Sequence, residues 1–185
     1  MAIAKANDFR TWSKPAAVAV LITPGPRGPE VLLIERPSTM AEHAGQIACP
    51  GGRFDAVRDR TLWDTARRET QEEVGVPLSR TMWRGVLEPV YISVTGYTIE
   101  PHLFYLRSKP RLQSSSEVAA WHWVTIPDLR AVAEGSLEWP QYPLPWGRVW
   151  GATARIMSQL LRLPHSNGIG GPNDYRIQSD RGAKG

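Results

Sequence analysis

The sequence predicts an α/β layer protein, and three observations carry that reading. Residues 16–22 form an unbroken apolar run, the pattern of a buried strand. Residues 61–74 and 148–163 each place apolar side chains at helical spacing. Further strand signals lie before and between these two helices, so strands and helices share one core. Composition alone leaves α/β and α+β open.

The elements follow in order. After the strand at 16–22 comes Pro24-Gly25-Pro26-Arg27-Gly28-Pro29, too rich in turn formers for anything but a turn. A second strand at 31–35 makes a hairpin with the first. Residues 46–48 read as a short strand leading into a turn at Cys49-Pro50-Gly51-Gly52, where glycine permits unusual backbone angles. The helix at 61–74 stops at Gly75, with Pro77 just beyond. Strands at 84–94 and 97–106 are joined by a turn at Thr95-Gly96. Another strand spans 118–124, with Trp121 and Trp123 on one face and His122 on the other. A short helix at 126–133 opens with Pro127 and Asp128. The last helix packs Val149, Ala152, Ile156, Leu160 and Leu163 on the core. From Pro164 the chain is rich in Gly, Asn, Asp and Ser, so 164–185 is expected to be a loose tail on a domain of residues 1–163.

Composition bounds the function. The chain has 185 residues, 42% of them hydrophobic and 22% charged, which suits one globular domain with a sizeable core. Cys49 is the one cysteine, which excludes a disulfide framework and points to a reducing, cytoplasmic setting. Beside Pro50 it reads as a small buried hydrophobe rather than a nucleophile. No apolar run approaches the ~20 residues of a membrane span, and Met1 to Ala6 lack the apolar core of a secretory signal. The net charge of +4 fits an anionic small-molecule substrate and fits an arginine-rich surface equally. No basic run with interleaved aromatics indicates nucleic-acid binding. A monomer and a homodimer are both compatible with the chain.

The chemistry is concentrated on the first helix. At about 100° per residue, Leu62, Thr65, Ala66, Glu69, Glu72 and Glu73 share roughly one third of the circumference. The stripe starts apolar and turns acidic. Glu69 and Glu73 are like charges at i, i+4, which repel on a bare helix. They also lie toward the helix C-terminus, the end that disfavours negative charge. A divalent cation held by carboxylate oxygens would offset both penalties.

Arg68-Glu69-Thr70-Gln71-Glu72-Glu73-Val74-Gly75-Val76, behind a Gly51-Gly52 turn, resembles the signature of the Nudix hydrolase family, G-x5-E-x7-R-E-U-x-E-E-x-G-U with U aliphatic. Thr70 replaces the first U. Fifteen residues, positions 53–67, separate Gly52 from Arg68, against thirteen in the pattern. The first glutamate of the pattern is absent, with Arg58 or Asp59 nearest its place. The resemblance implies a Nudix-type α/β/α sandwich with a mixed β-sheet. It also implies Mg²⁺ or Mn²⁺ bound by Glu69, Glu72 and Glu73, and an Arg68 that orients a glutamate by a bidentate salt bridge.

A second segment is similar to the coenzyme A pyrophosphatases within that family, whose stretch before the signature reads roughly L-L-T-x-R-S-x3-R-x3-G-x3-F-P-G-G. Leu32, Leu33, Arg36, Gly45, Pro50, Gly51 and Gly52 match at the right spacing. His43-Ala44-Gly45-Gln46, Asp55 and Trp150-Gly151-x-Thr153-Ala154 are also typical of that group. Pro37, Ala41 and Cys49 depart from it, and Ala41 stands where an arginine able to hold a phosphate is expected.

The resemblance implies hydrolysis of a diphosphate bond in a nucleoside diphosphate derivative, with coenzyme A favoured and (d)NTPs, dinucleotides or ADP-ribose as the alternative. Gly51 and Gly52 would lie against the substrate. Arg36 has two readings: contact with substrate phosphate, or a surface ion pair with Glu35 or Glu42. Glu117 stands where many family members carry an additional metal-binding or base-supplying glutamate, and it reads equally as a loop acid. His43 is the weaker candidate for the base. Most of the eight tryptophans, Trp121 and Trp150 among them, are expected in the core. A metal-dependent binder without turnover would keep the fold and lose the acids.

Overall fold

β1 (Lys14–Thr23) is the centre of the sheet in a computed structural model that describes residues 13–39, 45–113 and 115–163. Along one edge β1 runs parallel to β7 (Tyr97–Tyr105), in register from Lys14↔Tyr97 to Ile22↔Tyr105. Its other edge is divided. The start pairs antiparallel with β4 (Gly51–Arg53) and the end with β2 (Glu30–Glu35). β2 also carries β3 (Ile47–Ala48) and β8 (Ala120–Thr125), both antiparallel. β5 (Trp83–Val86) and β6 (Val90–Ile92) pair antiparallel with the outer edge of β7. One parallel pairing among antiparallel ones makes the sheet mixed.

Both faces of the sheet are covered. On one side Ala17, Ala19, Leu21, Leu32, Ile34 and Phe104 pack with Ala66 and Val74 of α1 (Leu62–Val74). The alanines of β1 keep the floor under this helix low. On the other side Val20, Ile22, Val31, Leu33 and Leu103 meet Leu129 of α2 (Ile126–Ala131). Ile156, Met157 and Leu160 of α3 (Gly151–Arg162) complete that layer. The alternation of inward side chains along β1 serves both layers at once. The result is an α/β/α sandwich, as expected. Among the described residues no helix is long and apolar enough to cross a membrane.

α1 is set at both ends by local chemistry. The Thr61 hydroxyl accepts from the Asp64 N–H, and the Asp64 carboxylate accepts from the Thr61 N–H, a reciprocal cap. Gly75 closes the helix at φ 72°, donating its N–H to the Gln71 carbonyl.

Several expectations are corrected. The single strand at 84–94 is two strands: Leu87 bonds to the Pro101 carbonyl, and the ladder resumes only at Val90, because Pro89 and Pro101 have no N–H to give. Gly51-Gly52 is not a free turn but lies in β4. The helix at 148–163 starts at Gly151, since Arg148 and Val149 belong to β11 (Gly147–Val149). β11 pairs with β10 (Pro140–Leu144), and β10 with β9 (Glu134–Gly135), a small sheet with no expectation behind it. Trp121 and Trp150 are not core. They are 37% and 54% exposed, Trp150 because it precedes the first turn of α3. Trp123 does pack beneath α1, and His122 faces the other side, stacked on Trp146 at 3.6 Å. Cys49 is buried, which pushes its thiol up to about 12 and keeps it from acting as a nucleophile. His43, Ala41, residues 1–12 and the tail at 164–185 lie outside the described residues.

Candidate active site

The acidic stripe of α1 faces the short strand β4, and glycine at 51 and 52 makes that approach possible. A Cβ on Gly51 would lie 2.3 Å from the Ala17 carbonyl oxygen, and its φ of 154° suits only glycine. A Cβ on Gly52 would lie 2.6 to 2.7 Å from the Glu69 carboxyl group. Glu69 therefore rests directly on the backbone of the strand.

Glu73 goes deeper. Its side chain is 1% exposed. One carboxylate oxygen accepts from Arg36 Nη2 at 3.0 Å and the other from the Gly51 N–H at 2.8 Å. The same Arg36 nitrogen donates to the Gly51 carbonyl at 3.0 Å. Burial pushes the Glu73 carboxyl up to about 7; Arg36 and the Gly51 N–H oppose that rise, while the charges of Glu69 and Glu117 add to it. Burial likewise raises Glu69, with Arg68 opposing and the charges of Glu72 and Glu117 adding. Glu117 is exposed, and its influence on both carboxylates places it within the field of the cluster. Glu72 is the outermost of the three, held by Arg58 and by Arg68 Nη1 at 3.2 Å.

Arg68 does not do what was expected. Its bidentate fork closes on Asp59: Nε to Oδ1 and Nη2 to Oδ2, both at 2.8 Å. Glu69 receives a single contact from Nη1 at 2.6 Å. Asp59 is buried and also accepts from the Thr65 hydroxyl at 2.9 Å and the Asp55 N–H at 3.1 Å. These hydrogen bonds, the Arg68 fork first, hold its carboxyl at about 2 against the rise that burial would cause. The same fork raises Arg68.

Asp59 therefore does the loop-fixing work of the missing glutamate. It lies nine positions before Arg68, where the signature's glutamate lies eight before its arginine. Counting forward from Gly52 reaches Arg58 and counting back from Arg68 reaches Arg60, so Asp59 lies between the two marks. Among the described residues Arg36 pairs with Glu73 rather than Glu35, a partner that spacing does not reveal, and Glu42 lies outside them.

The donor set is oxygen-only, which fits a hard divalent cation. The side-chain placement is less open. Among the described residues, no three His, Cys, Asp or Glu side chains converge on a metal point. Each glutamate is turned instead to an arginine: Glu73 to Arg36, Glu69 to Arg68, Glu72 to Arg58 and Arg68. The residues fit a cation by chemistry and by uncompensated charge, and occupying the site requires the glutamates to leave these partners.

The NUDIX domain family matches residues 13–146. The chain is 35% identical over 156 residues to a protein named Uncharacterized Nudix hydrolase NudL from Pectobacterium atrosepticum, covering 78% of this chain and 80% of the relative. The chain is a Nudix hydrolase. The NudL protein of Klebsiella pneumoniae strain 342 is 36% identical over 160 residues, with the same shares covered. Among solved structures, this Nudix chain resembles the MutT protein of Methanosarcina mazei Go1 at TM-score 0.57 and 18% identity, covering 80% of this chain and 91% of the other. It resembles the NUDIX domain of Shewanella oneidensis NrtR, solved with ADP ribose, at TM-score 0.52 and 20% identity, covering 64% and 77%. At such identities these two show the fold alone. As a Nudix hydrolase the chain acts on nucleoside diphosphate derivatives, and enzymes of this family generally use divalent metal ions.

Proposed function

We propose that this Nudix hydrolase cleaves the diphosphate bond of coenzyme A or a closely related nucleoside diphosphate derivative, with Mg²⁺ or Mn²⁺. The observation that carries the reading is the crowding of negative charge at β4: Glu69 on Gly52 and Glu73 buried behind Gly51, with the charge of Glu117 acting on both. Arg36 is the arginine that pairs with the buried member. Glu69, Glu72 and Glu73 would hold the metal, which when bound would neutralise the diphosphate and acidify an attacking water.

The protein's own groups have separate roles in this reading. Glu117, exposed at the rim, accepts the proton of the attacking water. Arg36, once released from Glu73, faces the phosphate charge. Gly51 and Gly52 let the substrate approach the strand without side-chain obstruction. Arg68 and Asp59 touch no reacting atom and fix the loop that frames the helix. Residues 1–163 form the catalytic domain.

Coenzyme A rests on the segment from Leu32 to Gly52, in which Arg36 now has a place beside the acid cluster and Ala41 departs from the pattern. The alternative is clean-up of (d)NTPs, dinucleotides or ADP-ribose. A panel of coenzyme A, ADP-ribose, NADH, diadenosine polyphosphates and dNTPs, each with and without Mg²⁺, decides between them. Coenzyme A should give the highest kcat/KM, with turnover lost on chelation. Coenzyme A ranking below the nucleotides overturns the substrate assignment.

A further inference from the structure

The flank of α1 beyond the glutamates walls a cleft rich in arginine. Asp64, Arg67, Arg68 and Gln71 recur at i, i+3, i+4 and i+7. Together with residues 58–60 of the loop before α1 and Pro77-Leu78 after it, they line an open cleft of about 650 Å³.

Four arginines and two aspartates line this space, and both aspartates accept hydrogen bonds from their own loop and helix. Asp59 is taken by the Arg68 fork, Thr65 and Asp55. Asp64 is taken by the Thr61 cap and the Arg60 backbone N–H. Arg58 and Arg68 are turned to carboxylates. The remaining positive charge belongs to Arg60 and Arg67. Arg60 is exposed, and among the described residues neither it nor Arg67 has a carboxylate within ion-pair distance.

Arg67 is also pre-positioned. Its Nε donates to the Leu78 carbonyl at 2.7 Å, and its guanidinium lies over the Trp63 ring at 4.4 Å. Arg80 lies over the same indole at 4.7 Å. Fixing Nε and the plane of the group leaves the terminal N–H donors held in place with no protein acceptor among the described residues. A held planar fork is the donor geometry that suits a tetrahedral oxyanion.

We propose that this cleft is a phosphate-binding site, adjoining the glutamate cluster through Arg58 and Arg68, in which Arg60 and Arg67 bind a phosphate group. The group is either a phosphomonoester carried by the substrate, remote from the bond that is cut, or free inorganic phosphate. Binding itself does not depend on the substrate reading above.

The test titrates inorganic phosphate into the full chain under chelation at constant ionic strength and follows the backbone amides of Arg60, Arg67 and Gln71 by NMR. A saturable shift at these amides is expected, with affinity reduced about tenfold or more in Arg60→Glu, the loss expected on removing a charged hydrogen-bonding partner. Gln71→Glu places a negative charge in the same cavity from an exposed position and should weaken binding in the same direction. Arg107→Glu makes the same charge change as Arg60→Glu at an exposed residue that does not line the cavity, and should leave binding unchanged. No saturable shift, or equal weakening by Arg107→Glu, overturns the proposal. The source is then read from kinetics. A KM that rises in Arg60→Glu for coenzyme A but not for its form lacking the 3′-phosphate assigns the site to substrate. Equal KM changes for both assign it to free phosphate.

Discussion

Asp59 and Glu73 are both nearly closed to solvent, both face an arginine, and both belong to the same loop-helix unit, yet their carboxyls move in opposite directions, to about 2 and about 7. The difference lies in what surrounds them. Asp59 collects a two-pronged guanidinium, a hydroxyl and a backbone N–H. Glu73 has one arginine nitrogen and one N–H, with Glu69 and Glu117 adding repulsion. An acid satisfied by its own chain builds the fold. An acid left short of positive charge retains affinity for a cation from solution, at a cost to the empty protein.

The most damaging way to probe this contrast is at the satisfied end. Asp59→Asn keeps the shape and removes the charge, leaving Arg68 without its main counter-ion. Breaking such a pair costs about 3–5 kcal/mol, measurable by urea unfolding at pH 7. The sign with pH is fixed by the lowered carboxyl. Its stabilisation is present above its ordinary value of 3.8 and lost as pH falls through about 2, so parent and variant should converge in acid. A stability equal to the parent's at pH 7 would remove Asp59 from its loop-fixing role.

At the strained end the sign reverses. The Glu73 carboxyl is raised, so its contribution is fully present below the ordinary value of 4.5 and is lost as pH rises through about 7. In chelated protein the parent should lose on the order of 3 kcal/mol relative to Glu73→Gln across that window. Parallel pH profiles for the two proteins would contradict the strain.

Glu117 sharpens the comparison, because it is acidic, close to the cluster and exposed. Glu117→Gln should lower kcat by about a hundredfold, the lower end for a positioned general base, while moving stability by no more than about 0.5 kcal/mol. An unchanged kcat returns Glu117 to an ordinary loop acid.

Where the chain carried its information locally, the fold could be read from it. The apolar run of β1, the Gly75 stop and the turn at Gly96 each announce themselves within a few residues. The small sheet of β9 to β11 does not, because its strands are two to five residues long and β10 contains Pro140 and Pro143, which read as turn formers. The site divides in the same way. Glu69, Glu72 and Glu73 declare themselves by helical spacing. Two of their arginine partners come from other segments, so the pairings of Arg36 with Glu73 and of Arg58 with Glu72 exist only after folding. The longer loop leaves Arg58 and Asp59 both near the place of the missing glutamate, and the Arg68 fork in the fold picks out Asp59. Trp150 was misplaced because its apolar neighbours hide that it precedes α3 rather than lying within it.

The central claim is that the under-compensated glutamate at position 73 is kept for a metal and for turnover. It is tested most directly by the kcat of Glu73→Gln under saturating Mg²⁺, on the best substrate of the panel, with folding verified by thermal unfolding. A fall of more than about a hundredfold in a variant at least as stable as its parent in chelator at pH 8 is the expected result. Turnover equal to the parent's would show that Glu73 holds no metal and that its strain has another origin.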